Sequence, residues 1–160
     1  MNRTILDSRP TTVWRPDVTV ACIVPHVGKF LLVEENVRGD LVLNQPAGHL
    51  EPDESLPHAA LRETLEETGW SIELTNLVGI YQWANADGHF LRFTFAAKPL
   101  QHDPARELDI GIVRILWMTR DEIAASQARL RSPMVLCGVD DFIAGRQFPL
   151  DALISLLGTP

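Results

Sequence analysis

The chain has 160 residues, 46% of them hydrophobic, which suits one ordinary domain with a substantial core. Its 14 Lys plus Arg against 21 Asp plus Glu give a formal charge of −7, which argues against a basic footprint for nucleic-acid phosphates or anionic lipid. The opening "MNRTILDSRPTTVWRPD" lacks an apolar h-region and no run of about 18 apolar residues occurs, so a cytoplasmic protein with no membrane or nucleic-acid partner is expected.

In chain order, "VTVACIVP" (18 to 25) and "KFLLVEE" (29 to 35) are β-rich runs separated by His26, Val27 and Gly28, a hairpin spacing, and "DLVL" (40 to 43) is a weaker strand. Residues 55 to 68 read as a helix: Ser55 can cap it, Pro57 falls in the first turn where a missing N–H does no harm, and Gly69 is placed to end it. "LVGIYQW" (77 to 83) and "HFLRFTFAA" (89 to 97) have strand chemistry and are joined by the turn-forming "ANADG". Residues 98 to 108 read as a polar, proline-containing loop and "IVRILWM" (112 to 118) as a strand. Thr119 with Glu122 has capping-box form, and Ser132-Pro133 signals a last helix running to about Gly145. Cys22 and Cys137 lack metal-site spacing and are expected to be reduced core residues. With no linker or repeat, the pattern implies one α/β domain with a mixed β-sheet between helices.

The stretch 48 to 70, "GHLEPDESLPHAALRETLEETGW", crowds Glu63, Glu66 and Glu67 onto one arc of the helix, about 100° wide, with Leu61, Thr64, Leu65 and Thr68 on another. Like charges at i, i+3 and i+4 repel, and no basic residue occupies a facing position of that stripe. A solvated acidic face is the bland account; a bound divalent cation is the specific one.

The flanks decide between them. Gly48, five residues, Glu54, seven residues, then Arg62-Glu63-Thr64-Leu65-Glu66-Glu67-Thr68-Gly69-Trp70 resembles the Nudix box G-x5-E-x7-R-E-U-x-E-E-x-G-U, U being a bulky aliphatic residue. All the fixed Gly, Glu and Arg positions match, a coincidence of order 10⁻⁸ per window at average residue usage. Thr64 and Trp70 depart from the pattern at its two aliphatic positions, which concern packing.

The resemblance implies an α/β/α sandwich and an enzyme that cleaves diphosphate linkages in small molecules with Mg²⁺, Mn²⁺ being the alternative ion. Residues 1–160 would form a single Nudix domain, with a core of about 17 to 150. Glu63, Glu66 and Glu67 would be the metal carboxylates and the Gly48 carbonyl a further ligand, while Arg62 and Glu54 would hold loop and helix in register. A metal also explains how an acidic protein takes an acidic substrate, and it can lower the pKa of an attacking water. The general base would be a box glutamate such as Glu63 or Glu66, or else Glu107 or Asp109 from the later loop.

Outside the box, "VTVACIV", "NQPAGHLE", "YQW", "FLRF", "LRSP" and "GRQFPL" together resemble a phosphatase branch of the family. That branch removes phosphate from nucleoside tri- and diphosphates, thiamine pyrophosphate and hydroxymethylpyrimidine pyrophosphate. Arg92, which interrupts an apolar run, is a candidate phosphate clamp, its alternative being the solvent face of the strand. Trp83 is a candidate stacking surface or a half-buried strand aromatic. His49 and Glu51 beside Gly48, and Arg131 in "LRSP", complete the candidate substrate-binding set, whereas His26, His58, His89 and His102 show no ligand spacing. The alternatives are a triphosphate pyrophosphohydrolase releasing pyrophosphate, an RNA-end pyrophosphohydrolase, which the charge disfavours, and a non-catalytic ligand sensor, which the intact box disfavours. A monomer is expected, with a homodimer as the alternative.

Overall fold

The computed structural model describes residues 13–157, so the start of the N-terminal segment read above lies outside them. β1 (Asp17–Ile23) is the axis of the fold. Its run Val20, Ala21, Cys22, Ile23 is almost wholly buried, as befits a strand covered on both faces. Val20 and Cys22 pack with Ala59 and Ala60 of the box helix, while Ile23 packs with Val135 and Val139 of the last helix. Alternate residues of one strand thus serve two cores, which makes the layers α/β/α.

β1 pairs antiparallel with the short β5 (Ala47–His49) and parallel with β7 (Gly88–His102), which pairs antiparallel with β6 (Trp70–Asn85). A second, antiparallel sheet has β3 (Lys29–Val37) between β4 (Asp40–Asn44) and β8 (Ile112–Met118), with β2 (Pro25–His26) forming the expected hairpin onto β3. The mixed sheet is therefore one of two. Within the described residues, no helix is long and apolar enough to cross a membrane.

The helices follow their signals closely. α1 (Leu56–Thr68) is capped by the Ser55 hydroxyl, which accepts from the His58 N–H, and ends at Gly69 in the left-handed conformation, φ 69°. α2 (Arg120–Ala125) opens on the complete Thr119–Glu122 capping box. α3 (Met134–Ile143) differs from expectation: Ser132 makes no cap, and Pro133 takes the N-cap position without a side-chain bond. Cys22 is buried as expected, but Cys137 is exposed. α3 turns Met134, Val135, Gly138 and Val139 inward, and position 137 falls outside that arc.

The strands differ more. β6 begins at Trp70, directly after the helix cap, and β7 continues to His102 through much of the segment read as a loop. The strand read at 77 to 83 is the second half of β6, and register shifts at Ser71/Ile72, Leu74/Asn76 and Leu77/Gly79 break the period-2 alternation that would have announced its full length. Pro99 pairs with Ile72 beside one of these shifts, where a missing N–H is tolerated.

Candidate active site

Arg62 is the centre of the box. Its Nε and Nη2 donate to the two oxygens of Glu54 at 2.8 and 2.9 Å, a fork-on-carboxylate pair that ties the loop before α1 to the helix. Nη2 also donates to the His49 carbonyl at 3.1 Å. Nη1 reaches Glu63 at 2.8 Å and Glu66 at 3.1 Å. The expectation that no cation relieves the glutamates is thus corrected. Arg62 stands four residues before Glu66, a facing position on the helix, and its long side chain reaches across to Glu63 as well. These contacts hold the Glu54 carboxyl below its ordinary pKa and raise that of Arg62.

Glu63, Glu66 and Asp109 each bring a carboxylate oxygen within 4.8 Å of the other two. Asp109 is delivered by the loop before β8, where its N–H donates to the Glu66 carbonyl at 3.1 Å. Glu107 is exposed on the same loop and stands outside the trio. Glu67 lies outside it too: buried, it accepts the Ala47 N–H at 2.8 Å, beside Gly48. Burial pushes the Glu67 carboxyl up to about 9, and it also raises Glu63 against the pull of Arg62. Hard oxygen donors, crowded and partly desolvated, fit a divalent cation of the Mg²⁺ kind. A Cβ on Gly48 would lie 2.1 Å from Glu63 carboxylate atoms, so any side chain there would have to displace that carboxylate.

Gly48 also lines a cavity of about 310 Å³, together with His49, Trp83, Arg92 and Arg131. Four of the five substrate-binding candidates are thereby brought together. The fifth, Glu51, is exposed and lies 3.9 Å from Arg62. Trp83 is half-buried and stacked on Phe90, centroids 5.6 Å apart, as the reading of a half-buried strand aromatic expects, and it also lines the cavity. Arg92 is 6% exposed and faces the cavity, which removes the solvent-face alternative. Its Nη1 reaches Asn44 Oδ1 at a long 3.4 Å, and burial lowers its pKa to about 10.

Six buried side-chain polar atoms lack a hydrogen-bond partner among the described residues, and four of them, on Thr19, Glu35, Arg92 and Ser132, belong to residues lining this cavity. Since buried polar groups are normally paired, such a concentration marks a place where a ligand supplies the partners. Thr19, Glu35 and Asn44 are not among the candidates from sequence, and Ser132 is there only as a helix-start signal. Glu35 had a signal: consecutive strand residues face opposite ways, so the Glu34-Glu35 pair closing an apolar strand must turn one carboxylate inward.

The Nudix domain family matches residues 14–136. Phosphatase NudJ of Escherichia coli strain K12 is 42% identical over 142 residues, covering 88% of this chain and 92% of that protein. A solved Nudix hydrolase from Nitrosomonas europaea is 49% identical, with 91% of this chain and 100% of that one covered and a TM-score of 0.88. The MutT protein of Methanosarcina mazei Go1, 20% identical with 85% and 100% covered and a TM-score of 0.70, shares the fold. The box on α1, the Arg62 network that organises it and these relationships place the chain in the Nudix family, as a hydrolase acting on phosphoric anhydride bonds.

Proposed function

We propose that the protein is a Mg²⁺-dependent phosphatase of small-molecule diphosphates, releasing the terminal orthophosphate of thiamine pyrophosphate, hydroxymethylpyrimidine pyrophosphate and nucleoside di- and triphosphates. The observation that carries this reading is the convergence of unpartnered polar atoms on a cavity that shares Gly48 with the acidic trio. Its volume suits one small heterocycle better than a polymer end, and the charge of −7 argues against RNA. The similarity to a protein named as a phosphatase supports the same choice.

Each residue then has a task. Glu63 and Glu66, with the neighbouring Glu67 and the Gly48 carbonyl, would hold Mg²⁺ or Mn²⁺. The bound ion supplies neutralisation of phosphate charge and an acidified water. Arg62 keeps the glutamates in place and limits their repulsion before the ion arrives. Arg92 donates to a phosphate from within a water-poor wall, where a charge-assisted bond is strong. Trp83 offers a flat face to the heterocycle. Asp109, which stands with Glu63 and Glu66 where Glu107 does not, is the loop carboxylate that would take a proton from the attacking water. His49, Glu51 and Arg131 line or border the entry. The unit is read as a single-domain monomer of the cytoplasm.

Phosphate release from thiamine pyrophosphate and from nucleoside diphosphates, measured with and without added inorganic pyrophosphatase, tests the proposal. Release in both conditions is expected. Phosphate that appears only with pyrophosphatase would mean pyrophosphate is the product, and would overturn the phosphatase reading.

A further inference from the structure

Glu35 has no role in the chemistry above, yet its surroundings are unusual. It lines the cavity with one carboxylate oxygen, Oε1, buried and without a partner. Its neighbour Glu34 faces away and takes both nearby guanidinium groups, Arg114 and Arg129. The β3–β8 register shifts between Glu34 and Glu35, the kind of bulge that re-aims a side chain next to a site. Across β3–β4, Glu35 is opposite Val42, which also lines the cavity. Glu35 is close enough to Arg92 and Glu67 for its charge to act on both.

The unpartnered atoms differ in what they ask of a ligand. Arg92 Nε can only donate, so it asks for an acceptor; an ionised Glu35 can only accept, so it asks for a donor or a positive charge; Thr19 and Ser132 serve either way. The polar requirement is thus of two kinds. We infer that Glu35 is a specificity-determining residue that selects substrates carrying, beside the phosphate held by Arg92, a positive charge or an N–H donor. This rests on the phosphatase reading for the phosphate end only. A carboxylate at this place disfavours acceptor-only or purely alkyl groups, because binding one would leave it buried and unpaired.

The test is equilibrium binding of two phosphomonoesters that the enzyme does not turn over as diphosphates, thiamine monophosphate (cationic, with an amine) and n-butyl phosphate (neither), to the Mg²⁺-loaded protein by calorimetry. Wild type should bind the first more tightly. In Glu35→Gln the ratio of the two affinities should fall at least about tenfold, the size of a charge-assisted bond, and Glu35→Asp, which keeps the charge, should restore part of it. Melting curves show that both variants are folded. An unchanged ratio in Glu35→Gln, or a wild type that does not discriminate, overturns the inference. So does a loss shared equally by both ligands, since Glu35 would then serve the phosphate or the ion. Orthophosphate release from thiamine pyrophosphate is measured on the same samples: no release alongside a changed ratio would defeat the phosphatase reading and leave the Glu35 assignment standing.

Discussion

Glu63 lies against Gly48 so closely that a Cβ on Gly48 would sit 2.1 Å from the Glu63 Cδ. The backbone of Gly48 is outside the left-handed region, so the glycine is there for the approach of a carboxylate and not for its own conformational freedom. The same residue lines the cavity, and so it joins the acidic trio to the substrate space.

Gly48→Ala should therefore separate activity from stability. The methyl group meets the movable end of one side chain and no backbone strain arises, so stability should change by less than about 1 kcal/mol. Displacing Glu63 should lower kcat/KM by about tenfold or more. Melting curves and steady-state rates check this; undiminished rates would show that the placement of Glu63 is not needed.

Glu67 tests the metal. Its carboxylate is buried, bonded to the Ala47 N–H and close enough to Glu63 and Asp109 for their charges to act on it. Glu67→Gln keeps the shape, and kcat should fall at least about 100-fold, or about 2.7 kcal/mol. Millimolar Mg²⁺ should raise the melting temperature of wild type, since a ligand of the folded state stabilises by mass action, and should do so less in the variant. Full activity of Glu67→Gln at saturating Mg²⁺ is the outcome that refutes its part. Glu63 is a poorer probe of repulsion, because Arg62 already donates to it.

Glu34 gives a pH dependence away from the site. Arg114, then Arg129, holds its carboxyl below the ordinary range. A depressed folded pKa means stabilisation that is complete above the unfolded value of about 4.3 and lost as pH falls through the folded one. With both guanidinium groups about half exposed or more, the loss in Glu34→Gln at pH 7 should be about 1–2 kcal/mol. Urea melts at pH 7 and pH 3 should show the gap from wild type closing at the lower pH; a constant gap would assign it to packing.

Ser132 distinguishes a cap from a ligand contact. Losing an N-cap costs about 1 kcal/mol, but the Ser132 hydroxyl is buried, unpartnered and at the cavity. Ser132→Ala should be neutral or stabilising by up to about 1 kcal/mol, measured by urea unfolding. A clear destabilisation would restore the capping role.

What could be read from sequence followed the strength of local signals. α1 combines a cap, a Pro, a terminating Gly and a fixed spacing of charges, all within one element, so its limits and acidic face were legible. β6 was legible only in its second half, read as 77 to 83, because three register shifts along Trp70–Asn85 spoil the alternation and Gly69 passes directly from helix to strand. The cavity was half legible. Arg92 stood out as a charge within an apolar run, whereas Thr19, Asn44 and Ser132 are ordinary residues whose importance comes from lacking partners in three dimensions. Asp109 joins the trio only because the loop before β8 folds back onto α1, a long-range contact that no local pattern encodes.

Arg92 carries the last prediction. It is buried among cavity residues, with Nε unpartnered and only a long bond from Nη1 to Asn44, and burial lowers its pKa to about 10. The protein therefore keeps a desolvated guanidinium largely unsatisfied, a cost that a substrate phosphate would offset. Arg92→Lys retains a positive charge but loses the planar fork, and a buried ammonium gives up its proton more readily. On a terminal phosphate, kcat/KM should fall at least about tenfold, or about 1.4 kcal/mol, while the apo protein should melt no lower, since no strong internal bond is lost. Phosphate release and melting curves on the same preparations decide the matter. Unimpaired release by Arg92→Lys would remove Arg92 as the clamp, and a matching loss of stability would show it to be a structural residue.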